Sequence, residues 1–199
     1  MDWSTIISLT VFAHVAAFTP GPNNVMLAAS GANYGMRATY AHIAGVNIGF
    51  LSLVTAAGLG LSGLFLAIPQ LYDIMRVASF GFLIYLAWKI ANAGPIEDAK
   101  KTKPLSFQAS FAFQWINPKA VTVTISTITA YTSGLDSVYQ SLAIILIVFG
   151  IATFGSTIAW TYAGQVIGRF LKEDRTRRLF NRLMAALLVI CLLPVILSI

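Results

Sequence analysis

The sequence predicts an all-α integral membrane protein with six transmembrane helices, arranged as two inverted three-helix repeats in which helices 1 and 4 are broken. Hydrophobic residues make up 57% of its 199 residues and charged residues only 10%, whereas a soluble domain carries about 25% charged residues. The apolar stretches are continuous and do not alternate as barrel strands do. Two of them contain proline-rich interruptions near their middles. A chain of this composition needs lipid to cover much of its surface.

Polar and charged segments divide the chain into spans, because a spanning helix needs about 20 mostly apolar residues. The predicted helices cover about 5–32, 38–67, 74–93, 106–131, 138–167 and 180–198. A charged loop at about 94–105 separates two halves, which cover about 1–95 and 104–199. The chain is therefore predicted to form a single transmembrane domain, 1–199.

The basic residues predict the orientation of these spans. With six helices, eleven of the 13 Lys and Arg residues fall on one side of the membrane, whereas Arg76 falls on the other and Lys119 lies inside helix 4. Cytoplasmic loops hold the excess of positive charge, so both termini are expected outside. The same rule explains the net charge of +6 without a nucleic-acid partner.

The two interruptions fall at matching places in the two halves. They are Thr19-Pro20-Gly21-Pro22-Asn23-Asn24 and Ile116-Asn117-Pro118-Lys119. Residues 5 to 20 span about 22 Å of helix, which places the first break near the membrane midplane. Because each half has an odd number of helices, related halves must have opposite orientations. Paired broken helices in inverted halves are typical of a transporter's binding site.

The chemistry of these breaks favours a zwitterionic ligand. Proline ends one half-helix and can start another, and Thr19 and Asn117 precede the prolines as good N-cap residues. The second half-helices would begin with free N–H groups, which bind carboxylates. The carbonyl groups around Ala16, Ala17 and Phe18 would then accept hydrogen bonds from an ammonium group. A plain proline kink is the structural alternative for either break.

The two motifs resemble the paired signatures of the LysE/RhtB amino-acid exporters, and the resemblance covers essentially the whole chain. Three further stretches are similar to the bacterial cysteine/O-acetylserine exporter branch: 81–91 (GFLIYLAWKIA), 103–111 (KPLSFQASF) and 153–156 (TFGS). The resemblance implies a secondary active, proton-coupled exporter in the bacterial cytoplasmic (inner) membrane, and not an enzyme. Its implied substrates are small amino acids or derivatives, of the cysteine/O-acetylserine type or homoserine and threonine. Protons, membrane lipid and a second copy of the chain are its expected partners.

The predicted substrate-binding residues belong to the two breaks or lie close to them. They are Thr19, Pro20, Gly21, Pro22, Asn23, Asn24, Asn117, Pro118, Lys119, Asn47 and Gln114. Asn47 and Gln114 are equally compatible with interhelical hydrogen bonds. No cofactor or metal is predicted, since the lone Cys191 excludes a cluster of thiolates.

Lys119 and His14 are the candidates for a proton relay, because each is a titratable residue inside a predicted span. Lys119 is about 20 Å from either end of its helix, which is farther than its side chain can reach. No span supplies a carboxylate for it, whereas a substrate carboxylate would. The alternatives are structural: Lys119 donates to backbone carbonyls of a neighbouring helix, and His14 makes one buried hydrogen bond.

Two other protein classes remain open on the sequence. A non-transporting membrane scaffold or subunit would use glycine pairs four residues apart, such as Gly45/Gly49 and Gly164/Gly168, for close helix packing. A membrane-embedded enzyme is less consistent, since the spans contain no HExxH motif and no paired acids. The broken helices argue against both classes, because unwound backbone is costly in lipid unless it lines a cavity.

Overall fold

The computed structural model describes residues 1–61, 63, 67–68, 70–92, 103–132, 138–171 and 173–191. These residues form seven α-helices: α1 (Trp3–Phe18), α2 (Pro22–Ala56), α3 (Gln70–Ala91), α4 (Phe107–Ile116), α5 (Pro118–Thr132), α6 (Val138–Gly168) and α7 (Asp174–Ile190). A π-helical segment, Ala57–Leu61, continues α2. The predicted all-helical class is confirmed for the described residues, and most of the predicted loop at 94–105 lies outside them.

The long helix α2 is a hairpin, because the chain reverses direction at Gly35. This residue has φ 77° and ψ 170°, a conformation that glycine adopts without steric cost. Ser30 Oγ lies 3.2 Å from His42 Nδ1, whereas twelve residues of straight helix would separate them by about 18 Å. We call the two arms α2a (22–34) and α2b (36–56); the turn falls within the predicted connection between helices 1 and 2.

Three helical stretches among the described residues are long and apolar enough to cross a membrane. They are Pro22–Leu61, Asp73–Ala91 and Val138–Gly168, and Trp3–Phe18 is a shorter apolar helix. The first stretch contains both arms of the hairpin. The arrangement of six spans in two inverted repeats stays a prediction.

Both predicted helix breaks are present, and one predicted helix start is wrong. α1 and α2 are separated by 19–21, and α4 and α5 by Asn117 alone. The last helix begins at Asp174, six residues before the predicted start at about 180. The prediction started this span at the end of the basic segment 169–182. The helix continues because its first turn holds an acidic residue, which favours the helix dipole, and because Arg177 is buried against α2a.

Two apolar clusters lie on either side of the breaks. The inner cluster, toward the end of the bundle that carries Lys103 and Arg177, joins α2a, α3, α4 and α7; its buried residues are Val25, Met26, Leu83, Leu86, Ala87, Phe113, Ala185 and Leu188. The outer cluster joins α1, α2b, α5 and α6, and it includes Leu9, Val54 and Ile145. The breaks therefore lie between two packed regions rather than at an end of the bundle.

Glycines let the helices that flank the breaks approach each other closely. A Cβ atom at Gly31 would collide with the Thr161 carbonyl group of α6, and a Cβ at Gly164 with the carbonyl of Ala28. A Cβ at Gly49 would lie 2.7 Å from the Phe111 oxygen of α4. Close contacts thus fix α2a against α6 and α2b against α4.

Candidate functional site

A cavity lies where the two broken helices meet. Its volume is about 540 Å³ when the space at its open mouth is included. Six of the predicted site residues line it: Gly21, Asn23, Asn24, Gln114, Asn117 and Lys119. Most of the remaining lining is apolar, from Val46, Phe50 and Phe149 among others, and the hydroxyl groups come from Thr153 and Ser156. We call this space the central cavity.

The first break leaves the start of α2 without a capping side chain. Thr19 N–H and the Thr19 hydroxyl both donate to Val15 O, at 3.0 and 2.6 Å. Thr19 is therefore the C-cap of α1, and its predicted N-cap role is wrong. Gly21 is the N-cap of α2 and has no side chain to bond the first turn. The N-terminal end of α2, with its positive dipole end, is thus available to an anion.

Side chains from other helices bind two of the carbonyl groups that precede this break. Ala17 O accepts hydrogen bonds from Asn24 Nδ2 at 2.8 Å and from Ser156 Oγ at 2.7 Å. Phe18 O accepts one from Trp160 Nε1 at 3.3 Å. The prediction that both carbonyls await a ligand is wrong, because α6 packs against the break and supplies donors.

At each break, a proline also leaves a carbonyl oxygen without a hydrogen-bond donor among the described residues. A proline has no N–H to donate to the residue four positions before it, so Pro20 frees Ala16 O and Pro118 frees Gln114 O. Among the described residues, no hydrogen bond to either oxygen is found. Ala16 and Gln114 both line the central cavity, so each broken helix contributes to its wall a residue whose carbonyl oxygen has lost its helical donor.

The second break is confined to Asn117. Its N–H donates to Phe113 O at 2.8 Å, and its carbonyl oxygen accepts from Val121 N–H at 3.0 Å. Its side-chain Oδ1 accepts from Lys119 N–H at 3.2 Å and so caps the start of α5. Asn117 therefore caps α5, as the sequence predicts.

Lys119 connects the second break to the first. Its Nζ atom donates to Thr19 O at 2.6 Å, which is the backbone contact that the sequence leaves as an alternative. Nζ also lies beside the start of α2, since a Cβ atom at Gly21 would be 3.1 Å from it. An ammonium group has three N–H donors, and the bond to Thr19 O uses one of them.

An amide pair makes a second link between the breaks. Asn23 Nδ2 donates to Gln114 Oε1 at 2.7 Å, and Gln114 Nε2 donates back to Asn23 Oδ1 at 3.1 Å. Gln114 Nε2 also donates to Ser110 O at 2.9 Å within α4. The pair fixes the position of α2a relative to α4 at the cavity wall.

Other predicted residues lie outside the cavity lining. Thr19, Pro20, Pro22 and Pro118 shape the breaks without lining the cavity. Asn47 donates to Thr157 Oγ1 of α6 at 3.0 Å, which is the interhelical hydrogen bond that the sequence leaves as an alternative.

The structure also does not bring His14 into the central cavity. His14 is exposed on α1, its Nδ1 lies 2.8 Å from Thr10 O, and its ring stacks on Phe18. The position of α1 in the bundle turns His14 outward, which removes the geometric basis for its predicted relay role.

The sequence interpretation missed a polar face of α6. Thr153, Ser156 and Trp160 are spaced three and four residues apart, so they lie on one face of the helix. Two of these side chains bond the first break and two line the central cavity. The periodic placement of polar groups in an apolar helix is the signal that would have identified them.

Comparison with known proteins assigns the chain to a family. The LysE type translocator family matches residues 14–196. The cysteine/O-acetylserine efflux protein of Escherichia coli O1:K1 / APEC is 33% identical over 182 residues, covering 89% of this chain and 90% of that protein. Proteins of the same name from Escherichia coli strain K12 and Shigella flexneri serotype 5b (strain 8401) are each 32% identical, with the same coverage. No solved structure matches the chain. The chain belongs to the family of LysE type translocators, and it is therefore a membrane transporter and not an enzyme.

Proposed function

We propose that this protein exports small amino acids or their derivatives across the bacterial inner membrane. The relatives are named for the efflux of cysteine and O-acetylserine, which makes these the first substrates to test, followed by homoserine and threonine. The observation that carries the proposal is the position of Lys119. Its ammonium group lies at the uncapped start of α2 and joins the two broken helices.

The carboxylate of the amino acid binds between Lys119 and the first turn of α2. Two N–H donors of the Lys119 ammonium remain after its bond to Thr19 O. The N-terminal N–H groups of α2 supply further donors and the positive end of the helix dipole. No Asp or Glu is among the described residues that line the cavity. These two positive groups therefore have no carboxylate of the described lining beside them.

The ammonium group of the amino acid binds the carbonyl oxygens that the prolines free. Ala16 and Gln114 belong to different broken helices and line the same cavity. Buried carbonyl oxygens stabilise a cation best when no other donor occupies them. A zwitterion would therefore contact both breaks at once, and its binding would depend on their relative position.

The substrate side chain faces apolar residues and two hydroxyl groups. Phe50 and Phe149 bound the space, whereas Thr153 and Ser156 offer hydroxyl groups to a polar side chain. A second positive charge on the substrate would be left without a carboxylate in the described lining. The site accordingly favours small neutral side chains over lysine-like ones.

The proposed topology has six spans, two inverted repeats and both termini outside. The reversal at Gly35 supports it, because it divides the 40-residue stretch Pro22–Leu61 into two antiparallel arms. Large apolar side chains such as Trp3, Val77 and Ile147 are exposed, and lipid is expected to cover them. The basic residues of α7 and the end of α3 would face the cytoplasm.

Proton exchange is assigned to Lys119 in this proposal, because it is the one titratable residue of the described cavity lining. Export by the wild-type protein should respond to an imposed pH gradient. A Lys119→Arg variant keeps the charge but gives up its proton far less readily, so its residual export should lose this response. A His14→Phe variant should keep the response, since His14 lies outside the cavity.

Efflux from reconstituted vesicles tests the function directly. Proteoliposomes loaded with labelled cysteine, O-acetylserine, homoserine, threonine or lysine should release the small neutral compounds faster than protein-free vesicles do. Lysine release should match the protein-free rate. Equal release of all five compounds with and without protein would contradict the proposal and favour a non-transporting role.

A further inference from the structure

A second cavity lies toward the basic end of the bundle, and we call it the inner cavity. Its volume is about 480 Å³ including its mouth, and α2a, the start of α2b, the end of α3 and the segment before α4 form its walls. Its polar lining consists of Ser30, Asn33, Tyr34, His42, Lys89 and Lys103. No Asp or Glu is among the described residues that line it. The described lining of the inner cavity therefore carries two positive charges, from Lys89 and Lys103.

His42 lines this cavity, and its buried ring contains a nitrogen atom without a hydrogen-bond partner among the described residues. The residue is 1% exposed, and its Nδ1 lies 3.2 Å from Ser30 Oγ. When the Ser30 hydroxyl donates to Nδ1, the ring carries its hydrogen on Nε2. No described residue bonds Nε2. A buried N–H without an acceptor is uncommon in a native structure, and a ligand with an anionic oxygen would satisfy it.

A buried arginine adds positive charge behind the cavity wall. Arg177 is 8% exposed; its Nε donates to Asn33 Oδ1 at 3.0 Å and its Nη2 to Asn33 O at 3.3 Å. Asn33 Nδ2 in turn donates to Asn181 Oδ1 at 2.8 Å. These bonds hold Asn33 at the cavity wall and tie the end of α2a to α7.

The inner cavity lies on the route from the basic end of the bundle to the central cavity. Ser30 follows Asn23 of the central cavity by seven residues of α2a, or about 10 Å. Met26, which lies between them, lines the inner cavity and belongs to the inner apolar cluster. Phe113, next to Gln114 of the central cavity, belongs to the same cluster. Packed apolar side chains thus separate the two cavities.

We propose that the inner cavity is an access site that binds the carboxylate of the amino acid before it passes the inner cluster to the central cavity. The donors are the ammonium groups of Lys89 and Lys103 and the Nε2–H of His42. This inference rests on the proposed function, because it assigns the inner cavity to the same substrate. It explains why a cavity toward the cytoplasmic end combines basic side chains with a buried, unpaired histidine.

Initial-rate transport from the basic side tests the access site. The probe is labelled O-acetylserine, supplied to inside-out vesicles that contain wild type, Lys89→Gln/Lys103→Gln or the control Arg175→Gln/Arg178→Gln. Both variants remove two exposed charges from the same end of the bundle, but Arg175 and Arg178 do not line the cavity. The lysine variant should raise KM about tenfold and leave the maximal rate within about twofold. Equal KM values in the two variants would overturn the proposal.

A change of lipid distinguishes the substrate from lipid as the occupant of the inner cavity. Anionic lipid headgroups also bind basic cavities, so the assay is repeated in vesicles of phosphatidylcholine alone. A KM difference that persists there supports the substrate, and one that vanishes assigns the cavity to lipid and overturns the proposal.

A His42→Gln variant should also raise KM at unchanged thermal stability. If wild type transports none of the compounds, the proposed function fails; if only the KM difference is missing, the access site alone fails.

Discussion

The first break takes three residues, 19–21, out of helical structure, whereas the second takes out Asn117 alone. At the first break, bonds from Ser156, Trp160 and Lys119 reach the exposed backbone from other helices. At the second, Asn117 bonds both flanking helices with its own backbone and side chain. Donors from distant helices therefore satisfy much of the backbone that the first break exposes, whereas Asn117 itself satisfies the backbone at the second break.

This difference gives the two breaks different chemistry. Asn117 Oδ1 caps the start of α5 by accepting from Lys119 N–H, so that N–H group is not free to bind an anion. The start of α2 follows Gly21 and has no such cap, so it keeps its attraction for a carboxylate. Lys119, from the second break, adds its charge at the first. The two breaks are thus complementary parts of one site.

The proposed topology requires the two broken helices to cross the membrane in opposite directions, and labelling from outside the cell tests this. In a Cys191→Ala background, Ser4→Cys should react with a membrane-impermeant maleimide applied to intact cells. Lys103→Cys should react only after the membrane is opened, because α4 starts on the basic side. Reaction of both positions, or of Lys103→Cys alone, in intact cells would refute the inverted arrangement.

Loss of the lysine that joins the breaks is expected to have the largest effect on binding. Lys119→Met keeps the length of the side chain and removes the charge, so the substrate carboxylate loses its principal partner. Affinity for labelled O-acetylserine should fall on the order of 1,000-fold, measured by equilibrium binding to purified protein. Arg178→Met, an exposed control, should bind normally. Near-normal binding by Lys119→Met, or failure of that variant to fold, would assign Lys119 to structure.

Restoring helical structure should affect the two breaks unequally. Pro20→Ala/Pro22→Ala lets α1 continue into α2 and removes the uncapped helix start, so efflux should fall on the order of 100-fold. Pro118→Ala should reduce efflux less, because only Asn117 must change its conformation. Efflux is compared at equal amounts of inserted protein. An equal or larger loss in Pro118→Ala would show that the breaks are functionally equivalent.

The sequence predicts the helix breaks well because their causes are local. A proline without an N–H interrupts a helix whatever packs around it, so 19–24 and 116–119 identify both breaks without a structure. Hydropathy likewise locates most helix ends to within a few residues, since the apolar runs are long. The reversal at Gly35 lies in the short connection that the helix boundaries predict.

The partners of each side chain depend on packing and were not predictable. Nothing in the sequence near Ala17 indicates that Ser156, 139 residues later, bonds its carbonyl oxygen. Asn47 and Gln114 are polar residues in similar apolar contexts, yet Gln114 lines the cavity and Asn47 bonds α6. The start of α7 was misplaced for a related reason, because charge marks the edge of the membrane and not the end of a helix.

The smallest expected effect comes from a single methyl group at the point where the breaks touch. Gly21 has φ −172°, an extended conformation that alanine also adopts. Gly21→Ala therefore adds a methyl group without straining the backbone. Its Cβ would lie 2.9 Å from Lys119 Cδ and 3.1 Å from Nζ, and the ammonium must shift by a few tenths of an ångström.

That shift should lower substrate affinity roughly tenfold, because the ammonium then no longer faces the start of α2 at its original distance. Gly81→Ala is the matched control, since nothing lies within 4 Å of its new Cβ atom, and its affinity should stay unchanged. The two effects should also be coupled: in a Lys119→Met background, Gly21→Ala should cause little further loss. An independent, additive loss in that background would mean that Gly21 acts on the substrate directly and not by positioning Lys119.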